Sequence, residues 1–143
     1  MKDRFIGEWT LVSMTNEKSD GTITYPNSQN VKGLLSYSEK NTMSAQLGSF
    51  DINKFVSNDF RFGTNEEIIP AFNGYISYFG TYDINEEKQY IIHHIEMSLF
   101  PNWIGTKVKR YFEFIDDSLI LRATAISENG ISVIPTLTWK RRN

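Results

Sequence analysis

Apolar and polar residues alternate along most of this chain, in short runs separated by turn residues. A period of two is the mark of half-buried β-strands. Eight runs carry it, near residues 8–14, 32–38, 42–48, 74–84, 89–98, 107–115, 118–125 and 133–141. The connections fit hairpins: Glu39-Lys40-Asn41, Asn85-Glu86-Glu87-Lys88, Asp116-Asp117 and the longer Ser127-Glu128-Asn129-Gly130. One segment breaks the pattern. Thr64-Asn65-Glu66-Glu67 has the form of a capping box, in which Thr and Glu each satisfy an orphan amide at a helix start. Ile68, Ile69 and Phe72 follow, Pro70 limits the length, and a short helix ending by Asn73-Gly74 is predicted. Residues 49–63 read as an irregular loop before it.

Many short antiparallel strands with one short helix imply a sandwich or a barrel. Closure removes exposed edges, and eight strands leave an interior just wide enough for one small ligand. The pattern therefore predicts an all-β fold, an eight-stranded antiparallel barrel with one short helix. No repeat, low-complexity tract or linker interrupts it, so residues 1–143 are expected to form one domain.

Alternation also assigns faces. In 107–115, Val108, Phe112 and Phe114 share the inward face with Arg110, while Lys107, Lys109 and Glu113 point out. In 89–98, Ile91, Ile95 and Met97 point in and take His93 with them, leaving His94 and Glu96 outside. Ile76, Tyr78, Tyr82 and Ile84 form a third inward set, and Leu119, Leu121 and Ala123 a fourth. Tyr37 goes with Leu35, and Trp9 with Leu11. The expected cavity is aliphatic and aromatic, with Arg110, His93, Tyr37, Tyr78 and Tyr82 as its polar, ligand-binding points.

Each of these has a plainer reading. The tyrosines also serve as wall residues whose hydroxyls find backbone partners. Adjacent histidines guarantee one inward imidazole in any regular strand, so direction alone is no sign of chemistry. His94 and Glu96 share a face, either as an acid/base pair or as part of an exposed cross-strand surface pairing. A fixed charge at Arg110 is costly on an inward face. It is met by an anionic ligand, by an internal acid, or by a bulge that turns it outward. Pro101-Asn102-Trp103-Ile104-Gly105 reads as a turn whose Trp103 either plugs the barrel mouth or packs the loop.

Composition narrows the classes. Aromatic residues make up 14% of the chain, which suits both pleated strands and an apolar pocket. Fifteen Lys and Arg stand against 17 Asp and Glu, a net charge of −2, and the basic cluster Lys140-Arg141-Arg142 reads as a solvated tail. A nucleic-acid partner is therefore not expected. The absence of cysteine excludes disulfides, thiolate zinc sites and a cysteine nucleophile. Neither a third ligand for a metal nor any cofactor motif is evident. Met1-Lys2-Asp3-Arg4-Phe5 lacks the apolar run of roughly 7–15 residues of a signal peptide. No stretch approaches the roughly 20 apolar residues of a membrane span. A cytoplasmic protein without a membrane partner is expected.

The two ends of the pattern are more specific. Gly7-Glu8-Trp9 opens the first strand, and Leu137-Thr138-Trp139-Lys140-Arg141 closes the last. Together they resemble the lipocalin signature. That resemblance implies that Trp9 packs at the closed end of the barrel and that Arg141 lies across it, a cation–π contact over an apolar floor. Gly33-Leu34-Leu35-Ser36-Tyr37, Met43-Ser44-Ala45-Gln46, Tyr78-Phe79-Gly80-Thr81-Tyr82, His93-His94-Ile95-Glu96 and Pro101-Asn102-Trp103-Ile104-Gly105 resemble the small bacterial and fungal lipocalin-like domain proteins. The resemblance spans roughly residues 7 to 141 and implies a lipocalin-like barrel; some members are associated with small-molecule biosynthesis. It does not by itself supply a function.

Three functions fit these observations. The first is a binding protein for a hydrophobic or amphipathic molecule, with an acidic group directed at Arg110. The second is a cofactor-independent isomerase or cyclase using His93 and Tyr78 as acid/base groups. The third is a scaffold whose barrel is filled by its own side chains. No nucleophile elbow, phosphate-binding loop or metal signature supports catalysis, so binding is preferred. Ligand identity and oligomeric state are not encoded in the pattern.

Overall fold

The computed structural model describes residues 1–26 and 28–143. Among them are ten strands: β1 Gly7–Lys18, β2 Ile23–Thr24, β3 Val31–Tyr37, β4 Thr42–Ser49, β5 Tyr75–Asn85, β6 Tyr90–Ser98, β7 Lys107–Ile115, β8 Ser118–Arg122, β9 Ile126–Glu128 and β10 Ile131–Arg141. The sheet runs β2-β1-β3-β4-β5-β6-β7-β8-β10-β9, and β1 also pairs with β10. That last pairing, with Trp9 opposite Arg141 and Leu11 opposite Trp139, closes an eight-stranded antiparallel barrel. β2 and β9 are short ribbons attached to β1 and β10.

The inward faces follow the alternation. Trp9, Leu11, Leu35, Tyr37, Ala45, Leu47, Tyr78, Tyr82, Ile91, Ile95, Val108, Phe112, Leu119, Leu121 and Trp139 form one buried cluster. Such a continuous apolar interior is the main source of stability for an all-β domain of this size.

Two positions depart from simple alternation. Met97, expected inside, is 54% exposed. The β5–β6 register shifts between Phe79 and Gly80, so that Phe79 faces Met97 and Gly80 faces Ile95. Glu96 is the extra residue of this bulge, and it reverses the faces of Met97 and Ser98. Gly80 makes the bulge possible, because a Cβ there would lie 1.8 Å from the His94 carbonyl oxygen. The second departure is Ala123. β8 ends at Arg122, so Ala123 lies just beyond the strand, half-buried at the barrel rim.

The short helix α2, Asn65–Asn73, begins with the predicted capping box: Thr64 accepts from the Glu67 amide, and Glu67 accepts from the Thr64 amide. Pro70 lies inside it without ending it, and the Gly74 amide bonds back to the Pro70 carbonyl. None of its residues is fully buried. Among the described residues, no helix is long and apolar enough to cross a membrane.

The opposite end is closed by a helical turn that alternation does not reveal, α1 over Lys2–Phe5. Phe5 is fully buried and meets Tyr37, Phe112 and Phe114 edge-on, at centroid distances of 5.5, 4.9 and 4.9 Å. The Trp9 indole N–H donates to the Phe5 carbonyl at 2.9 Å. Arg141 lies with Cζ 4.2 Å above the Trp9 ring and donates to the carbonyls of Ile6 and Arg4. The guanidinium thus satisfies backbone acceptors left open by so short a helix while it covers the indole.

Candidate functional site

Antiparallel pairing brings the polar inward residues into a few rows. Tyr82 on β5 faces His93 on β6, and Ile91 on β6 faces Arg110 on β7. His93 is 1% exposed. Its Nε2 lies 2.7 Å from the Tyr37 hydroxyl, and its Nδ1 lies 2.9 Å from the Tyr78 hydroxyl. Burial, reinforced by the positive Arg110 nearby, pushes the imidazole down to about 3, so His93 is neutral at physiological pH. Burial likewise raises both tyrosine hydroxyls above their ordinary range. The result is a neutral Tyr37–His93–Tyr78 chain held by three strands.

Tyr82 stands apart from that chain. Its hydroxyl donates to the Ser38 carbonyl at 2.7 Å, and its ring packs edge-on against Tyr37 at 4.9 Å. Of the five expected polar points, Arg110, His93 and Tyr78 share the cavity wall, Tyr37 supports His93 from behind, and Tyr82 packs the wall nearer the floor.

Arg110 meets neither structural alternative. The β6–β7 ladder is regular across it, and no carboxylate pairs with it among the described residues. Its Nη1 donates to the carbonyl of the adjacent Lys109 at 3.0 Å. The residue is half-buried, and this partial desolvation lowers its pKa.

The cavity has two parts. An inner chamber of about 40 Å³ is walled by Leu35, Leu47, Tyr78, His93, Arg110 and Trp139, among others. An outer chamber of about 230 Å³ opens past Met14, Ala123, Pro135 and Thr136. Ile76, Trp103, Arg110, Leu121 and Leu137 line both, so Arg110 stands where they meet. Trp103, in a 3₁₀ turn over Pro101–Trp103, lies edge-on to Tyr78 at 5.7 Å and to Phe100 at 5.5 Å. It belongs to the cavity wall as well as to its loop.

Trp139 is not among the polar points expected from the sequence, although its alternation with Leu137 places it inside. Its buried indole N–H has no hydrogen-bond partner among the described residues. Outside the barrel, His94 bonds Asp83 at 2.7 Å, a cross-strand surface pair rather than a pair with Glu96. No group of three metal-ligating side chains occurs among the described residues.

Chemically, the cavity offers apolar walls, one unneutralised cation and a neutral histidine held between two hydroxyls. An imidazole pushed that low is a poor general base near neutral pH, so the arrangement suits recognition better than proton abstraction.

A 4'-hydroxy-3'-methoxypropiophenone carrier protein of Aspergillus oryzae is 31% identical over 106 residues, covering 69% of this chain and 96% of that protein. A crystal structure of a lipocalin-like protein from Bacteroides uniformis aligns over 97% of this chain and 99% of that one, at 15% identity and a TM-score of 0.46. The profile of the lipocalin-like domain matches residues 6–142, nearly the full length, and the chain belongs to the lipocalin-like domain family.

Proposed function

We propose that this protein is a cytoplasmic carrier that holds one small apolar or amphipathic molecule inside the barrel, with an acidic group of the ligand directed at Arg110. The observation that carries this reading is the inward guanidinium at the junction of the two chambers, which has no carboxylate partner among the described residues. An unneutralised cation in an apolar wall costs stability that a bound anion returns. The apolar lining supplies the remaining affinity through burial of a ring or short chain. A relative named as the carrier of a small aromatic ketone supports the carrier reading. The lack of cysteine suits a reducing compartment.

Arg110→Leu tests the assignment when titrated by calorimetry with an arylalkanoic acid and its matching amide. Removing one partner leaves the other's charge buried, so the acid should lose about 2–5 kcal/mol of affinity and the amide much less. Equal losses for both would assign Arg110 a structural role and refute the anchor.

A further inference from the structure

The hydroxyl proton of Tyr78 has a definite direction. Neutral imidazole has one N–H donor and one acceptor nitrogen, so the Tyr37–His93–Tyr78 chain runs one of two ways. If His93 donated to Tyr37, the Tyr37 proton would need an acceptor elsewhere. Tyr37 is 2% exposed and packed between Phe5 and Tyr82, and His93 is its hydrogen-bond partner among the described residues. An orphaned donor in that setting is unfavourable. In the other direction, Tyr37 donates to Nε2 and Nδ1–H donates to the Tyr78 oxygen. The proton left over is then that of Tyr78, which lines the inner chamber where a ligand can accept it.

That direction fixes the polarity of the whole chamber. Tyr78 presents its O–H, with its accepting side occupied by His93. Arg110 brings guanidinium N–H groups to the same wall, and Trp139, which also lines it, has a buried indole N–H that lacks a partner among the described residues. Arginine and tryptophan side chains have no acceptor. The other walls from β3, β4, β8 and β10 are Leu35, Ala45, Leu47, Leu121 and Leu137, and none of them titrates. The titratable groups around the chamber are therefore Tyr37, Tyr78, His93 and Arg110, and Arg110 is the charged one. A neutral hydroxyl placed here would find donors for its oxygen and no acceptor for its proton.

From this geometry we infer that the inner chamber is an oxyanion pocket, which takes weakly acidic hydroxyl compounds of the phenol or enol class in their ionised form, held by Tyr78, Arg110 and Trp139. The proton leaves to solvent as the ligand binds, and Arg110 balances the oxygen's charge. Donors of this kind stabilise developed negative charge most strongly when water is excluded. The volume of about 40 Å³ admits the oxygen and the nearest ring edge, while the rest of the ligand occupies the outer chamber. This inference rests on the carrier reading above and makes it specific to a head group.

The test uses two probes of nearly one shape, 4-nitrophenol and 4-nitroanisole, with the intact protein. Calorimetry measures whether each binds, and the nitrophenolate absorbance band reports the ionisation of bound phenol across pH. Bound 4-nitrophenol should be at least about tenfold more acidic than the free compound, and above its ionisation midpoint it should bind more tightly than the anisole. Arg110→Met should remove most of that acidification and Tyr78→Phe part of it. Both variants should lose less affinity for 4-nitroanisole than for the ionised phenol. If both probes bind but the phenol is no more acidic bound than free, the oxyanion pocket is refuted while the carrier reading stands. If neither binds, both readings fall. A variant that loses both probes equally marks its residue as structural and removes it from the pocket.

Discussion

The neutrality of His93 makes a quantitative prediction about acid stability. Its imidazole titrates near 6.5 when unfolded and at about 3 in the barrel. In that interval the unfolded chain binds a proton that the folded protein refuses. Folding stability must therefore fall as pH drops from about 6.5 towards 3, by up to roughly 1.4 kcal/mol per pH unit, and be fully present above that range. At about pH 4.5 this amounts to about 2–3 kcal/mol, a sizeable part of the 5–15 kcal/mol typical of a domain. His93→Gln removes the titration while keeping a donor and an acceptor for the two tyrosines. Urea unfolding followed by far-ultraviolet circular dichroism, at neutral pH and at about pH 4.5, gives the comparison. The two proteins share every other side chain, so the remaining pH dependence cancels in the difference. The wild type should lose about 2–3 kcal/mol more than His93→Gln on acidification. Equal losses would mean that His93 is not held neutral by burial, and the Tyr37–His93–Tyr78 chain would need a different protonation scheme.

Other consequences are simpler to check. Trp9→Ala should cost about 3–5 kcal/mol of stability in the same assay, because it empties a buried aromatic site and strands the Phe5 carbonyl; a loss below about 1 kcal/mol would refute its role in the barrel floor. A double-mutant cycle of Trp9→Phe with Arg141→Met should give a coupling of about 0.5–2 kcal/mol for the stacked pair, and a value near zero would separate the two. Asp83→Asn should change stability by less than about 1 kcal/mol, since the His94 pair is exposed; a larger loss would contradict its reading as a surface contact.

Much of this fold is legible in the sequence because a barrel wall must alternate. Arg110 and His93 can be placed inside only because Val108, Phe112, Ile91 and Ile95 have no other face to occupy. Sequence reasoning goes wrong where alternation fails. At Gly80 a missing side chain admits a close backbone approach, the register shifts, and Met97 turns out to solvent. The four residues of α1 are too short for helical periodicity, although Phe5 closes the floor. The site is harder to read. Which hydroxyl meets which ring nitrogen depends on distances across three strands, and the unpartnered Trp139 N–H depends on what does not reach it. Neither quantity is carried by sequence spacing. Trp103 is undecided in the sequence for a similar reason, because the local turn chemistry does not say that its ring meets Tyr78.

The claim that the barrel interior is a binding cavity is tested most directly by equilibrium titration with an anionic apolar fluorophore such as anilinonaphthalene sulfonate, in the wild type and in Ala123→Trp. Ala123 sits at the rim of the outer chamber, where an indole would fill space without displacing the buried core. The wild type should bind one probe per chain saturably. Ala123→Trp should keep the far-ultraviolet spectrum of the wild type and lose at least about tenfold in affinity, roughly 1.4 kcal/mol. Non-saturable binding, or affinity unchanged in Ala123→Trp, would place the probe on the outer surface and leave the barrel a filled scaffold.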